Sequence, residues 1–579
     1  MILARLVALY DRLVTSGMVE SNGYERRPIA FLLVLHPDGG LVDVVDTRAA
    51  EGRERRGRLC NVPMAVKRTV GIAANVLWDN AEYVLGLPRT AGSSQADQRK
   101  VAERHEAFRH NVAELAVALP NDRGVQAVHR VLSTHDPTTF RGSQYAARID
   151  DPTANLSFVL SDDPTHLICE SSAVRQVVAE AGSRSGAVQC LVTGHLEAPA
   201  RLHPYLKGVV GGQPSGVSLV SFNLAAFESY GLEQGANAPV GVSAAFAYGT
   251  ALNWLLAEPR HRLRLGPLTV VAWAGEDTPA ETFLTDVFGE APRTETEDDR
   301  SARVARVRAL LDSPRSGVTP AELDTDFFVL GLAPNAARAA VALWEQGRLA
   351  DALANVRCWF ADLELAGRPA FLPDMISLAS LLRALAPLHE MDRLPPRLPA
   401  SLLSAALTGS RLPEELLANA LARLRIPRGP AFAYPLTALL RAVLRRNHAM
   451  ESSVSLDPSA TDFPYRWGRL FAVYEKVQED AQGDIDATVR DSYWASAAAT
   501  PAVVCGVLSR LNGHHLRKLE TPRRIRAERL IGEVVAEMRD FPPRLSLPEQ
   551  ARFALGYWHQ RTALFTRREP AEAIPSEAA

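Results

Sequence analysis

Apolar positions near the amino terminus recur at helical spacing, with Leu3, Leu6, Val7, Tyr10, Leu13 and Val14 on one face, so a helix is expected there. The stretch IAFLLVLHPDGGLVDVVD then places two apolar runs around a Pro-Asp-Gly-Gly turn, the pattern of a hairpin. Further apolar runs, GAVQCLVTG and LTVVAWAG, stand between turn-rich segments, which predicts an α+β domain over residues 1–290. PRTETEDDR (292–300) has no apolar periodicity and reads as a linker or exposed turn. Beyond it, long Ala/Leu/Arg stretches broken by segments such as LPPRLPASL predict a mainly helical domain over 291–450 without a repeat period.

Residues 451–568 carry the clearest helical signals. Ala527, Leu530, Ile531, Val534, Val535 and Met538 form one apolar stripe. Thr500 before Pro501 reads as an N-cap followed by an N1 proline, and Ser546 with Glu549 as a capping box. The fold class expected is therefore an α+β N-terminal region followed by an all-α C-terminal region ending in a helical bundle. The tail EPAEAIPSEAA (569–579) has too little apolar content to pack and is expected to be disordered.

Charge adds to this picture only locally. Over 579 residues the chain carries 64 basic and 66 acidic residues, so no global basic field explains binding. Clustering does occur. Between Arg48 and Arg68 seven basic residues face two acidic ones, which reads as a basic loop, and from 501 to 568 thirteen face six. The second cluster, on helices, suits a track for a nucleic-acid backbone held through its phosphates; a solvated helical face is the competing reading. Five scattered cysteines without a C-x-x-C pair fit a reduced cytoplasm, and no apolar span is long enough for a membrane.

Catalytic constellations are missing. There is no H-E-x-x-H, no Walker A and no G-x-G-x-x-G after a strand. Ser218 and Ser243 lack the second glycine of a nucleophile elbow. His514 and His515 are adjacent and so point about 100° apart on a helix, unsuited to one metal. No catalytic residue, metal site or cofactor is expected.

Two N-terminal stretches stand out instead. RLHPYLKGVVGGQPSGVSLVSFN (201–223) combines Lys207 with Gly208, Gly211, Gly212 and Gly216, glycines that allow close backbone approach to a partner, followed by Gln213. The lysine precedes the glycines and a strand follows, so this is not a nucleotide-triphosphate loop; a flexible turn is the plainer reading. VPMAVKRTVGIAANVLWDNAEYVLGL (62–87) carries Lys67 and Arg68, able to hold phosphates, and Asn75 and Asn80, able to read base edges or to serve as turn and cap residues.

Together these stretches resemble the large subunit of the type I-C CRISPR surveillance complex, Cascade. The resemblance is carried by VKRTVGIAANVLWDNAEYVLG, by CLVTGHLEAPARLHPYLKGVVGGQPSGVSLVSFNLAAFESYGLEQGANAPV and by FFVLGLAPNAARAAV. Towards the C-terminus it continues in YRWGRLFAVYEKVQ, ATPAVV, HHLRKL and LSLPEQARFALGYWHQRTALF. It implies a non-catalytic subunit that reads a protospacer-adjacent motif, 5′-TTC-like, in duplex DNA, promotes pairing of guide RNA with the target strand, and helps recruit a helicase-nuclease. The implied partners are guide RNA, an RNA-coating backbone subunit, an endoribonuclease-type subunit at the guide 5′ end, and target double-stranded DNA.

On this basis Lys67 and Arg68 are candidates for duplex phosphates, Asn75 and Asn80 for base edges, and Lys207, Gly211, Gly212 and Gln213 for a loop against the motif duplex. Arg517, Lys518, Arg523, Arg524 and Arg526 are candidates for the displaced strand. Lys67 and Lys207 escape the arginine bias of a chain with five lysines. The family often has proline before the first asparagine, where this chain has Ala74. The C-terminal bundle resembles a Cascade small subunit, and a translation restart near Met450 would yield one as a separate protein. Readings from other classes are a helical protein-binding scaffold without DNA readout and a hydrolase with an unrecognised site.

Overall fold

The computed structural model describes residues 2–51, 54–66, 72–89, 94–181, 187–222, 224–289, 323–426, 429–483, 487–536 and 538–565, with isolated positions between 302 and 311. Lys67, Arg68, the 292–300 segment and the 569–579 tail lie outside the described residues. Contacts divide the chain into two units, 1–205 with 220–254, and 206–219 with 255–579.

The first unit opens with α1 (Ile2–Thr15), whose Leu6, Leu9, Tyr10 and Leu13 are buried as the spacing predicts. β1 (Tyr24–Ile29) leads into β2 (Phe31–Leu35) and β3 (Leu41–Asp46), the expected antiparallel hairpin, with Gly39 at φ +99° in its turn. The basic stretch after it is not simply a loop. β4 (Ala49–Glu51) pairs with β5 (Glu54–Arg56), and β6 (Arg58–Pro63) runs antiparallel to β1. Cys60 and Val62 alternate inward while Leu59 stays exposed, a period-2 signal that arginine-rich flanks obscure.

β7 (Trp78–Asn80) and the helices α2 (Ala81–Val84), α3 (Gln95–Ala118), α4 (Arg123–Thr134) and α5 (Pro137–Arg141) come before β8 (Asn155–Leu160) and β9 (Asp163–Leu167). The sheet runs β3-β2-β8-β7, with β9 also on β8. β8, joined to β2 in parallel and to β7 antiparallel, is buried along Leu156–Leu160, which its unbroken apolar run requires. Phe108 and Val112 of α3 and Val125 and Val128 of α4 share its core with Phe158. The unit continues through α6 (Ser172–Ala181), the short pair β10 (Val188–Gln189) and β11 (Leu196–Glu197), and most of α7 (Val242–Ala257).

The second unit is built on a six-stranded sheet. Its order is β12 (Tyr205–Leu206), β13 (Val217–Ser218), β17 (Arg338–Arg348), β16 (Asp326–Asn335), β15 (Leu268–Ala274), β14 (Arg262–Leu265). The expectation that the region after residue 290 is all-α is corrected here: FFVLGLAPNAARAAV forms the β16–β17 hairpin, joined to a sheet that β14 and β15 begin before residue 290, and helices follow that hairpin from residue 349. Phe327, Phe328, Val329, Leu330 and Leu332 are all buried, so this is a central strand with no alternation to reveal it. Trp273, Phe328 and Trp344 cluster across three strands at 5.4–6.0 Å.

Helices complete the unit: α8 (Phe283–Phe288), α9 (Leu349–Leu363), α10 (Leu378–Leu385), α11 (Arg397–Thr408), α12 (Glu415–Leu424), α13 (Pro430–His448), α14 (Phe463–Gln482), α15 (Val489–Ala499), α16 (Pro501–Leu516), α17 (Thr521–Val535) and α18 (Leu547–Phe565). The C-terminal half is helix-rich, as expected. α14 and α18 approach closely because each contributes a glycine. A Cβ on Gly468 would stand 2.0 Å from the Phe553 carbonyl oxygen, and one on Gly556 2.0 Å from that of Tyr465. Val534 of the predicted stripe is fully buried, with Leu530 and Ile531 packed against the same core. One contiguous core joins α9–α13 to α14–α18.

Candidate nucleic-acid interface

The first candidate group is organised by Asp79, which the sequence pattern did not single out. Its buried carboxylate accepts the Asn75 amide at 3.0 Å and the Asn80 amide at 2.9 Å. Asn75, 4% exposed, in turn accepts the Val66 amide on its side-chain oxygen at 3.0 Å. The Glu25 carboxylate takes the amide of Ala65 at 2.7 Å, and Trp78 Nε1 donates to the Pro63 carbonyl at 2.7 Å. These bonds fasten both ends of the 67–74 segment to β1, β6 and β7. Asn80 is the N-cap of α2, its side chain accepting from the Glu82 amide at 3.0 Å. In this arrangement both asparagines bond to backbone. The signal was the spacing of Asn75, Asp79 and Asn80 in one turn-rich stretch, typical of side chains that bind nearby amides.

The second group is the connection between β12 and β13 at the margin of the six-stranded sheet. Lys207, Gly211 and Gln213 are exposed, and Gly212 is half-buried. Gly208 and Gly211 adopt φ +90° and +75°, conformations that favour glycine. The loop is pinned rather than loose. The buried Thr269 hydroxyl oxygen accepts the Val210 amide at 3.0 Å, Gly212 donates to the Val209 carbonyl at 3.1 Å, and Val209 is buried. A Cβ on Gly212 would meet Val217 Cγ1 at 2.6 Å. Thr269 sits inside the apolar run LTVVAWAG, where one hydroxyl was the only sign of this role.

The third group lies on the turn between α16 and α17. Arg517 is the C-cap of α16, and buried Leu519 fixes the turn against Val473 and Val477. Arg517, Lys518, Arg523 and Arg526 are exposed. Arg524 is half-buried, 3.7 Å from Glu528, and Arg529 pairs with Glu533 at 3.2 Å. Four of the five proposed cations therefore face solvent on a turn and one helix, interrupted by Glu520. Next to them, burial pushes the His515 imidazole below its ordinary pKa, while His514 faces outward.

Among the described residues, no group of three or more His, Cys, Asp or Glu is placed to hold a metal ion, and no helix is long and apolar enough to cross a membrane. The profile of the family described as CRISPR-associated protein (Cas_Csd1) matches residues 6–565, nearly the whole chain. The chain belongs to the CRISPR-associated Csd1 family. Csd1 is the large-subunit family of type I-C Cascade, a structural subunit of a CRISPR complex. All three groups lie inside the Csd1 match. No curated protein matches the chain.

Proposed function

We propose that this Csd1 chain reads the protospacer-adjacent motif in duplex DNA and promotes pairing of the guide RNA with the target strand. The observation that carries this reading is the pinned glycine loop. Backbone held by Thr269 and Val209 leaves Lys207, Gly211 and Gln213 exposed on a preorganised loop, and its glycines allow close approach to a groove. Lys207 serves a phosphate, and Gln213, with a paired donor and acceptor, a base edge. Asn75 and Asn80 act by positioning: they hold the frame from which Lys67 and Arg68 reach the duplex backbone. Arg517, Lys518, Arg523 and Arg526 bear the displaced strand, with Arg524 contributing from its half-buried place.

Membership of the Csd1 family supports a place in Cascade, and the partners proposed there are guide RNA, the RNA-coating backbone subunit, the endoribonuclease-type subunit at the guide 5′ end, target double-stranded DNA and the helicase-nuclease that the bound complex recruits. The protein works in the cytoplasm, without a catalytic step of its own.

The test is binding of the reconstituted, guide-loaded complex to two target duplexes that differ only in the flanking motif. Gln213→Ala is expected to shrink the difference between them by about 1–3 kcal/mol, whereas Lys67→Ala weakens both alike. A wild-type complex that binds both flanks equally overturns the reading.

A further inference from the structure

Outside these groups, one cavity of the second unit gathers cations and rings. It has a volume of about 400 Å³ and lies between the start of α13, α15 and the end of α18, with Arg368, Arg490, Arg561, Tyr557, Trp558 and Phe565 in its walls. The rings are held in place: Tyr557 donates to Glu475 Oε2 at 2.6 Å, and Trp558 Nε1 to the Ala366 carbonyl at 2.9 Å. Phe565 stands half-exposed, with Arg561 and Lys476 each 4.7 Å from its ring centre.

The cations differ in how they are satisfied. Arg561 pairs with Glu475 at 2.7 Å and Glu479 at 3.3 Å, Arg368 with Asp374 at 2.6 Å, and Lys476 with Asp480 at 2.8 Å. Arg490 has no carboxylate partner among the described residues. Its guanidinium lies 5.1 Å from the Trp494 ring and 5.5 Å from that of Tyr557, one Nη reaches the Leu424 carbonyl at 3.5 Å, and its buried Nε is unpartnered. The cavity thus offers one guanidinium that has no carboxylate partner among the described residues, beside aromatic side chains.

We infer that this cavity takes one unstacked nucleotide of single-stranded nucleic acid, its base against the exposed ring of Phe565 beside Trp558 and its phosphate on Arg490. A planar guanidinium matches phosphate through two donors, and aromatic rings accept any base face. A duplex offers no free base face, and an inorganic anion has no use for the rings. The volume lies within the range of small-molecule sites. The inference rests on the nucleic-acid reading above only for the nature of the strand.

The full-length chain is titrated with a labelled oligo-dT carrying one 2-aminopurine, following anisotropy for affinity and 2-aminopurine quenching for stacking. Phe565→Ala and Arg490→Gln are each expected to weaken binding roughly fivefold to a hundredfold and to relieve the quenching. Unchanged affinity and quenching in Phe565→Ala, a half-exposed position near the end of a helix, overturns the inference even where Arg490→Gln fails to fold. Weakened binding with quenching retained also overturns it, because the base then stacks elsewhere. Loss of flank discrimination with these effects intact would refute motif reading and leave the cavity assignment standing.

Discussion

The Asn75 side-chain oxygen accepts the backbone amide of Val66 at 3.0 Å, closing the ends of the segment that carries Lys67 and Arg68. Because Asn75 is buried, its amide group acts first on the chain itself. Replacing it with alanine leaves the Val66 amide without this acceptor, at a cost of about 1–3 kcal/mol. Asn75→Ala is therefore expected to lower the thermal midpoint and to weaken complex binding to duplexes with either flank. Lys67→Ala should weaken binding while leaving the midpoint unchanged. A destabilised Asn75→Ala chain that binds DNA with wild-type affinity would separate the brace from DNA contact; calorimetry and binding on the same preparations decide.

The glycine loop yields a sharper steric expectation. At Gly212 a Cβ would lie 2.6 Å from Val217 Cγ1 and 3.1 Å from the Val209 carbonyl oxygen, so the loop must shift to admit it. Gly212→Ala should reduce flank discrimination more than Gly40→Ala, where a Cβ meets nothing within 4 Å. Equal discrimination by the two variants in the reconstituted complex would show that loop shape is not read.

Parts of this architecture were legible in the residues and parts were not, for identifiable reasons. The α1 helix and the α17 stripe each turn an apolar face inward and a polar face to solvent, so their periodicity survives in sequence, while the β2–β3 hairpin shows through its two apolar runs around the Pro-Asp-Gly-Gly turn. The β16 strand is buried on both faces, and its partner β17 is rich in alanine, so the pair looks like the helices around it. At the candidate interface, Lys207 and Gln213 were visible as exposed types beside glycines. The supports Glu25 and Thr269 were not, because they act through backbone amides brought near by folding, and Asp79, which binds amides one and four residues away, showed only as one polar residue of a turn-rich stretch. Arg490, whose buried Nε has no hydrogen-bond partner, was equally hidden among 64 basic residues, since only the fold shows which of them pair with a carboxylate among the described residues.

Protonation of one core histidine sets an acid limit on the C-terminal helices. His559, 2% exposed, has its pKa pushed down from 6.5 to about 4, chiefly by burial and then by the charge of Arg441. Its Nδ1 is hydrogen-bonded to the Tyr465 hydroxyl at 2.8 Å, whose oxygen takes the Asp457 amide at 3.1 Å. The unfolded chain therefore binds the extra proton between pH 6.5 and about 4. The stability conferred by the neutral imidazole is complete above pH 6.5 and is lost as pH falls through that window, by up to about 3 kcal/mol. His559→Gln is expected to flatten this part of the stability profile measured by urea unfolding. An unchanged slope would place the acid sensitivity on other groups.

Translation restarting at Met450 would release a chain of α14–α18 alone. Trp558 donates to the Ala366 carbonyl, Arg441 of α13 bonds to the Ser452 carbonyl, and Leu436, Leu439 and Leu440 share a core with Phe553 and Ala554. Separation would expose that apolar surface, so a 450–579 fragment expressed by itself is expected to aggregate or to melt well below the full chain, and to be rescued by co-expression with residues 1–449. A fragment that is monomeric and as stable as the full chain would show that the bundle folds independently and would strengthen the case for a separately made small subunit.

Salt dependence measures the basic turn directly. Each phosphate contact made by Arg517, Lys518, Arg523 or Arg526 releases counterions, contributing roughly 0.7 to the slope of log affinity against log salt for a single strand. The double variant Arg523→Gln, Arg526→Gln removes two exposed charges three residues apart on α17, neither of them paired at close range with an acid among the described residues. Its slope for single-stranded DNA should fall by about 1.4, while the melting temperature stays within a degree or two because neither side chain is buried. Glu528→Gln should act in the opposite sense, since it frees Arg524, 3.7 Å away, to face a phosphate. A slope unchanged in both variants would assign the displaced strand to another surface and leave this turn as a solvated face.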